Sequence, residues 1–186
     1  YGEPNFDQIK TNLKSIENQK KIDKKEYYLI TNPNEIDSWI EEAEEKGEVA
    51  IDTETSSLDP HQADLIGISL SSKIGKACYI PLGHESKKCL DKNIVIKKLK
   101  PLLEDPSIKK IGQNIKFDFI VLFKHGINIS SMEDTMLMSY VLDSGKNRHN
   151  MDTLSEIHLN HKTISFKDIV GSGKKEINFS EVDIEK

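Results

Sequence analysis

Apolar and polar residues along this chain switch between a period of two and a period near 3.6, and the switches mark its elements. Residues 26–31 (Glu-Tyr-Tyr-Leu-Ile-Thr) predict a strand. The next four, Asn32-Pro33-Asn34-Glu35, predict a helix start, with Asn32 as N-cap, Pro33 at the first position and Glu35 closing a capping box. Ile36, Trp39, Ile40 and Ala43 form that helix's apolar stripe, and Gly47 is its expected C-cap. Three strand candidates follow closely, at residues 49–53, 65–70 and 77–81, and their short turn-rich links predict an antiparallel meander.

Further on, residues 93–103 have a helical period with a kink expected at Pro101, and residues 110–112 read as a short strand. Residues 114–124 predict a helix stopped by His125-Gly126. Its apolar positions, Ile115, Phe119, Ile120, Val121, Leu122 and Phe123, nearly surround it, so deep burial is expected. Residues 134–142 and 151–159 predict two more helices joined by a polar link. The chain from Asn160 is polar and ends inside a possible helix. Residues 1–25 are lysine-rich; Phe6, Ile9, Leu13 and Ile16 recur at helical spacing, which reads as a linker or a peripheral helix. Clustered strands followed by helices, with a late strand between, predict an α/β domain over residues 26–186, on a mixed sheet flanked by helices.

Composition narrows this picture in three ways. A chain of 186 residues can bury a real core, while 31% charged residues imply a wet surface. A formal charge of −5 argues against a general duplex binder, which carries a basic stripe, but not against a nuclease whose bound cations reverse the local field. Cys78 and Cys89 lack metal-ligand spacing and fit reduced thiols of a cytosolic protein. No window is apolar and long enough to suggest a membrane span, and a first residue that is Tyr rather than Met suggests a piece of a longer protein.

The candidate chemistry begins at Val49-Ala50-Ile51-Asp52-Thr53-Glu54. On a strand, Asp52 and Glu54 at i and i+2 point the same way. Two like charges so close favour a positive partner, and hard divalent cations take carboxylate oxygens. A third carboxylate, Asp118, follows in Gly112-Gln113-Asn114-Ile115-Lys116-Phe117-Asp118, where Asn114 and Asp118 are four apart and are expected on one helical face. In an otherwise apolar helix that aspartate either meets a cation or lines a cleft; alternatively it is an acid favoured by the helix dipole. The acidic run over residues 41–48 reads as a solvated face. His149, His158 and His161 form no defined zinc set, and Gly171-Ser172-Gly173-Lys174 lacks the spacing of a phosphate loop.

Taken together, these motifs resemble a known family. Ile51-Asp52-Thr53-Glu54-Thr55-Ser56-Ser57-Leu58 is similar to the first exonuclease motif of bacterial DNA polymerase I, and Gly112 to Asp118 resembles its second. The likeness continues through Glu133-Asp134-Thr135-Met136-Leu137, Arg148-His149-Asn150-Met151-Asp152-Thr153-Leu154 and His161-Lys162-Thr163-Ile164-Ser165-Phe166. It implies a proofreading 3′–5′ exonuclease domain with the RNase H-like fold of the DEDD exonucleases. It further implies two divalent cations (Mg²⁺ or Mn²⁺), a single-stranded DNA 3′ end as substrate, and a polymerase domain in the same parent chain. By the same resemblance the protein is a monomer of the bacterial cytoplasm.

The likeness also implies residue roles. Asp52 would bridge the two cations, Glu54 would ligate one and touch the terminal 3′-hydroxyl, and Asp118 would support the second through water. Leu58 and Phe166 match residues that wedge against terminal bases. Thr53, Gln113, Asn114 and Arg148 match positions along the strand's path. One motif departs from the pattern: the family's Tyr-x-x-x-Asp, which supplies a fourth carboxylate, has no match in these residues and would begin just beyond Lys186. The expected consequence is weak metal binding and poor cleavage by this fragment. Two alternatives are an RNA-trimming exonuclease of the ribonuclease D type and a non-catalytic scaffold domain of a polymerase.

Overall fold

The computed structural model describes residues 26–85, 88–173 and 177–184. The helix expected between Phe6 and Ile16 and the end of the last predicted helix lie outside them. The described residues form a six-stranded sheet in the order β1-β4-β3-β2-β5-β6. Its strands are β1 (Tyr27–Leu29), β2 (Glu48–Thr55), β3 (Leu65–Lys73), β4 (Lys76–Pro81), β5 (Lys109–Gly112) and β6 (Met132–Asp134). The helices are α1 (Ile36–Lys46), α2 (Lys92–Glu104), α3 (Lys116–Phe123), α4 (Thr135–Asp143), α5 (Met151–Leu159) and α6 (Phe166–Val170). This is the expected mixed sheet flanked by helices.

Strand directions decide where chemistry can collect. β3 pairs antiparallel with both β2 and β4, as the meander predicted. β1 runs parallel to β4, β5 to β2 and β6 to β5. Every strand except β3 therefore points the same way. The C-terminal ends of β2, β4, β5 and β6 meet at one edge of the sheet, the position where open α/β sheets bind their ligands.

Local rules account for most boundaries. Asn32 caps a single 3₁₀ turn, Pro33–Glu35, with the capping box in place; α1 follows and ends at Gly47, whose φ of 68° is the left-handed conformation a C-cap needs. Along β2, Val49, Ile51 and Thr53 are buried while Glu48, Ala50 and Asp52 are exposed, a period-two pattern with one face in the core. Val49 and Ile51 join Ile36, Trp39 and Ala43 of α1, and Val95, Leu99, Leu102 and Leu103 of α2, in one cluster. Pro101 lies inside α2, which continues to Glu104.

Three expectations need correction. α3 starts at Lys116, because Asn114 has a φ of 57° and lies outside the helix. Asn114 and Asp118 therefore do not share a helical face. Nor is α3 deeply buried all round: Val121 and Leu122 are fully enclosed, but Phe123 is 59% exposed. β6 had no counterpart in the sequence reading, since Met132-Glu133-Asp134 carries no alternation and is a strand only by pairing with β5. No helix among the described residues is long and apolar enough to cross a membrane.

Candidate active site

β2 and β5 stay paired only as far as Ala50 and Ile111. Beyond that point β5 gives way to the turn into α3, and the Thr53 N–H on that side of β2 has no strand to bond. Asp118 takes its place: its Oδ1 accepts from the Thr53 backbone N–H at 2.8 Å and from the Thr53 hydroxyl at 2.6 Å. A helix carboxylate thus completes the sheet edge and is held beside β2. Asp118 is buried.

Asp52 and Glu54 lie on the opposite face of β2 from Thr53, Asp52 exposed and Glu54 half-buried. All three carboxylates feel their surroundings. Although the residue keeps open surface, the protein packed around the Asp52 carboxyl raises its pKa. Glu54 is raised to about 7, first by burial and then by the charges of Asp52 and Asp118. Asp118 also stands at about 7, where burial and the Asp52 charge outweigh the lowering effect of the Thr53 hydrogen bonds. Among the described residues, no basic side chain contributes to any of the three shifts.

The charges within this group thus raise the cost of ionising Glu54 and Asp118. The side chains as they stand are not gathered into a metal site, since no set of three His, Cys, Asp or Glu groups among the described residues is close enough to hold a metal ion. The donor chemistry still fits a hard divalent ion, because carboxylate oxygens are its preferred ligands and added positive charge would relieve the mutual repulsion.

Asp134, at the end of β6, carries the turn that aims α3. It accepts from the N–H groups of Asn114 (2.9 Å) and Ile115 (3.1 Å), and also from Met136 (2.9 Å) at the start of α4. Gly112 is needed in that turn, because a Cβ there would lie 2.9 Å from the Ile115 side chain. Gln113 is committed within the protein: its Oε1 accepts from the Thr135 hydroxyl at 2.6 Å and its Nε2 donates to the His149 carbonyl at 2.7 Å. The His149 ring in turn meets the Ser139 hydroxyl at 2.8 Å. Gln113 thereby fastens the link that carries exposed Arg148.

The two apolar candidates stand out in solvent. Leu58 is 92% exposed in the loop between β2 and β3. That loop is closed on itself by Ser56 and Asp64, and Lys124 at the end of α3 donates to the Pro60 (3.1 Å) and Ala63 (2.6 Å) carbonyls. Phe166, the first residue of α6, is 53% exposed and lies parallel to Phe179, with ring centroids 6.0 Å apart. The Thr53–Asp118 bond and the reach of Asp134 had no sequence signal beyond the N-cap pattern Asp-Thr at residues 134–135.

A family model described as 3′–5′ exonuclease, of the DNA polymerase A type, matches residues 27–182. The chain is 42% identical over 167 residues to DNA polymerase I of Pseudomonas aeruginosa, covering 87% of this chain and 18% of that protein. It is also 42% identical over 186 residues to DNA polymerase I of Rhizobium leguminosarum, covering 89% of this chain and 18% of that one. The chain therefore spans less than a fifth of the length of these curated relatives. Among solved structures, Brucella melitensis NrnC with bound Mg²⁺ is 26% identical with a TM-score of 0.56, over 75% of this chain and 63% of that one. The EXO domain of Aedes aegypti Nibbler shares the fold at a TM-score of 0.62 and 12% identity, over 80% of this chain and 75% of that one.

Proposed function

The chain belongs to the 3′–5′ exonuclease family, and from that premise we propose that it is the proofreading unit of a DNA polymerase I, removing nucleotides from a DNA 3′ end. What supports the reading is the family match over residues 27–182 together with the placing of Asp52, Glu54 and Asp118 at the C-terminal end of β2, where burial and then the charges of Asp52 and Asp118 raise Glu54. Asp52, Glu54 and Asp118 are the residues that would hold two divalent cations, Mg²⁺ or Mn²⁺. When bound, such ions activate the attacking water and take up charge on the departing 3′-oxygen. Oδ1 of Asp118 is occupied by Thr53, so its Oδ2 is the oxygen left for the site.

The remaining residues orient the strand end. Leu58 and Phe166 supply apolar and aromatic faces that grip a terminal base without reading its edge. Arg148 offers a charged donor to a phosphate. Asn114, in its left-handed turn, lines the path, Thr53 acts by holding Asp118, and Gln113 acts by holding the link that bears Arg148. Residues 26–186 form this unit, with residues 1–25 as linker or peripheral helix. A polymerase domain of the same parent chain is its partner, and it works as a monomer in the bacterial cytoplasm. The 186 residues contain no Tyr-x-x-x-Asp spacing; on this reading the fourth carboxylate comes from outside them, and these residues alone bind metal weakly and cleave poorly.

The test is Mn²⁺-dependent release of mononucleotides from a 3′-labelled single strand, comparing this chain with one extended through that motif. Release by the extended chain and little by this one is the expected result. Equal rates would overturn the impairment. Preference for RNA over DNA would favour a ribonuclease D type enzyme, and absence of both cleavage and Mn²⁺ binding in the extended chain would make the domain a scaffold.

A further inference from the structure

We propose that Tyr79, His84 and Phe179 are positioning residues that fix Phe166 relative to Glu54, so that the terminal-base wedge and the carboxylates move as one body. The inference rests on the reading of Phe166 as a base-contacting residue.

The connection can be followed atom by atom. Glu54 pairs across the sheet with Gly67 on β3, and Ser69, two residues on, pairs with Tyr79 on β4. Glu54, Gly67 and Tyr79 therefore share one face of the sheet. Gly67 is what lets the Tyr79 ring cross β3: a Cβ there would stand 2.1 Å from the phenol oxygen. Burial first, and then the Glu54 charge, raise the pKa of that phenol.

From Tyr79 the connection continues to His84, which is only 8% exposed. Its Nε2 is 2.6 Å from the Tyr79 hydroxyl and its Nδ1 is 3.2 Å from the Val182 carbonyl. A carbonyl only accepts, so Nδ1 carries the proton and Nε2 accepts from the phenol. Burial, which lowers the His84 pKa, favours that neutral form. The Glu85 N–H adds a bond to the Ser180 carbonyl at 2.9 Å. These two bonds seat Phe179 against His84, centroids 5.7 Å apart, and Phe179 stacks on Phe166 at an interplanar angle of 8°.

Tyr79, His84 and Phe179 lie outside the buried hydrophobic cluster. The series ends in a half-exposed ring. A free phenylalanine at the start of a five-residue helix would sample several rotamers; backed by Phe179 it presents one.

The experiment uses this chain with Mn²⁺ and a single strand ending in 2-aminopurine, whose fluorescence is quenched on stacking. The expected result is that Phe166→Ala removes the quenching. Phe179→Leu should remove most of it and weaken strand binding about fivefold, the low end of one base–aromatic stack. Phe179→Trp should restore both, and His84→Leu should act like Phe179→Leu. Mn²⁺ affinity should stay unchanged in all of them, and Phe179→Leu should have no further effect once Phe166 is alanine. A merely structural role would instead make the two substitutions additive and lower Mn²⁺ affinity, which would overturn the inference. So would wild-type quenching in Phe179→Leu. If Phe166→Ala, or the wild type, shows no change in quenching, the base-contact reading itself fails and takes this inference with it.

Discussion

Glu54 and Asp118 illustrate how a carboxylate proposed to serve a site can weaken the fold. Both have folded pKa values of about 7, above their ordinary values of 4.5 and 3.8. A raised carboxylate pKa means that the native state binds the proton more tightly than the unfolded chain does. Its stabilising contribution is complete below the unfolded pKa and is lost as pH rises through about 7. Metal-free protein should therefore melt at a lower temperature at pH 8 than at pH 5.5. Glu54→Gln removes one of the repelling charges, so it should raise the metal-free melting temperature at pH 8 by about 3 °C, roughly 1 kcal/mol for a domain of this size, and have little effect at pH 5.5. Thermal scans of both proteins at the two pH values check this; an equal shift at both would show that charge is not the cause.

Among the elements, the turn between β5 and α3 has the most to lose. Asp134 satisfies N–H groups of two separate segments, Asn114–Ile115 and the first turn of α4. Asp134→Ala leaves several donors unpaired at once and should cost about 3 kcal/mol, the sum of a lost N-cap and one or two charge-assisted hydrogen bonds. Urea unfolding measures it directly. α1, by contrast, was legible in its apolar stripe and terminal glycine, which are local, although the capping box at Asn32 opens a 3₁₀ turn ahead of it and α1 itself begins at Ile36. β6 was not, because a three-residue strand of Met-Glu-Asp exists only by virtue of the free edge of β5. α3 was over-read: periodicity counts apolar residues but cannot tell which of them a neighbour covers, and Phe123 is left outside.

For the whole molecule, the sheet edge and the proposed cations are linked by mass action. A cation that binds the native acids stabilises the fold, by about 2.7 kcal/mol at a hundredfold excess over its dissociation constant. Because the acids must be ionised to bind it, the Mn²⁺-induced rise in melting temperature should be several degrees at pH 8 and should shrink as pH falls through about 7. Scanning calorimetry with and without Mn²⁺ at pH 8 and pH 6 provides the check. A pH-independent rise would place the binding elsewhere.

Sequence alone determined what depends on neighbours along the chain. The alternation of β2 put Asp52 and Glu54 on one face and Val49, Ile51 and Thr53 on the other, and the ordered motifs identified the family. Tertiary structure decided what depends on residues far apart in the chain. Asp118 is set not by its helical spacing to Asn114 but by Thr53, 65 residues away, whose N–H is free only because β5 stops short. Tyr79 reaches Glu54's neighbourhood only because Gly67, on the strand between them, has no side chain. Hydrogen bonds and vacancies of that kind have no periodicity, so no pattern along the chain announces them.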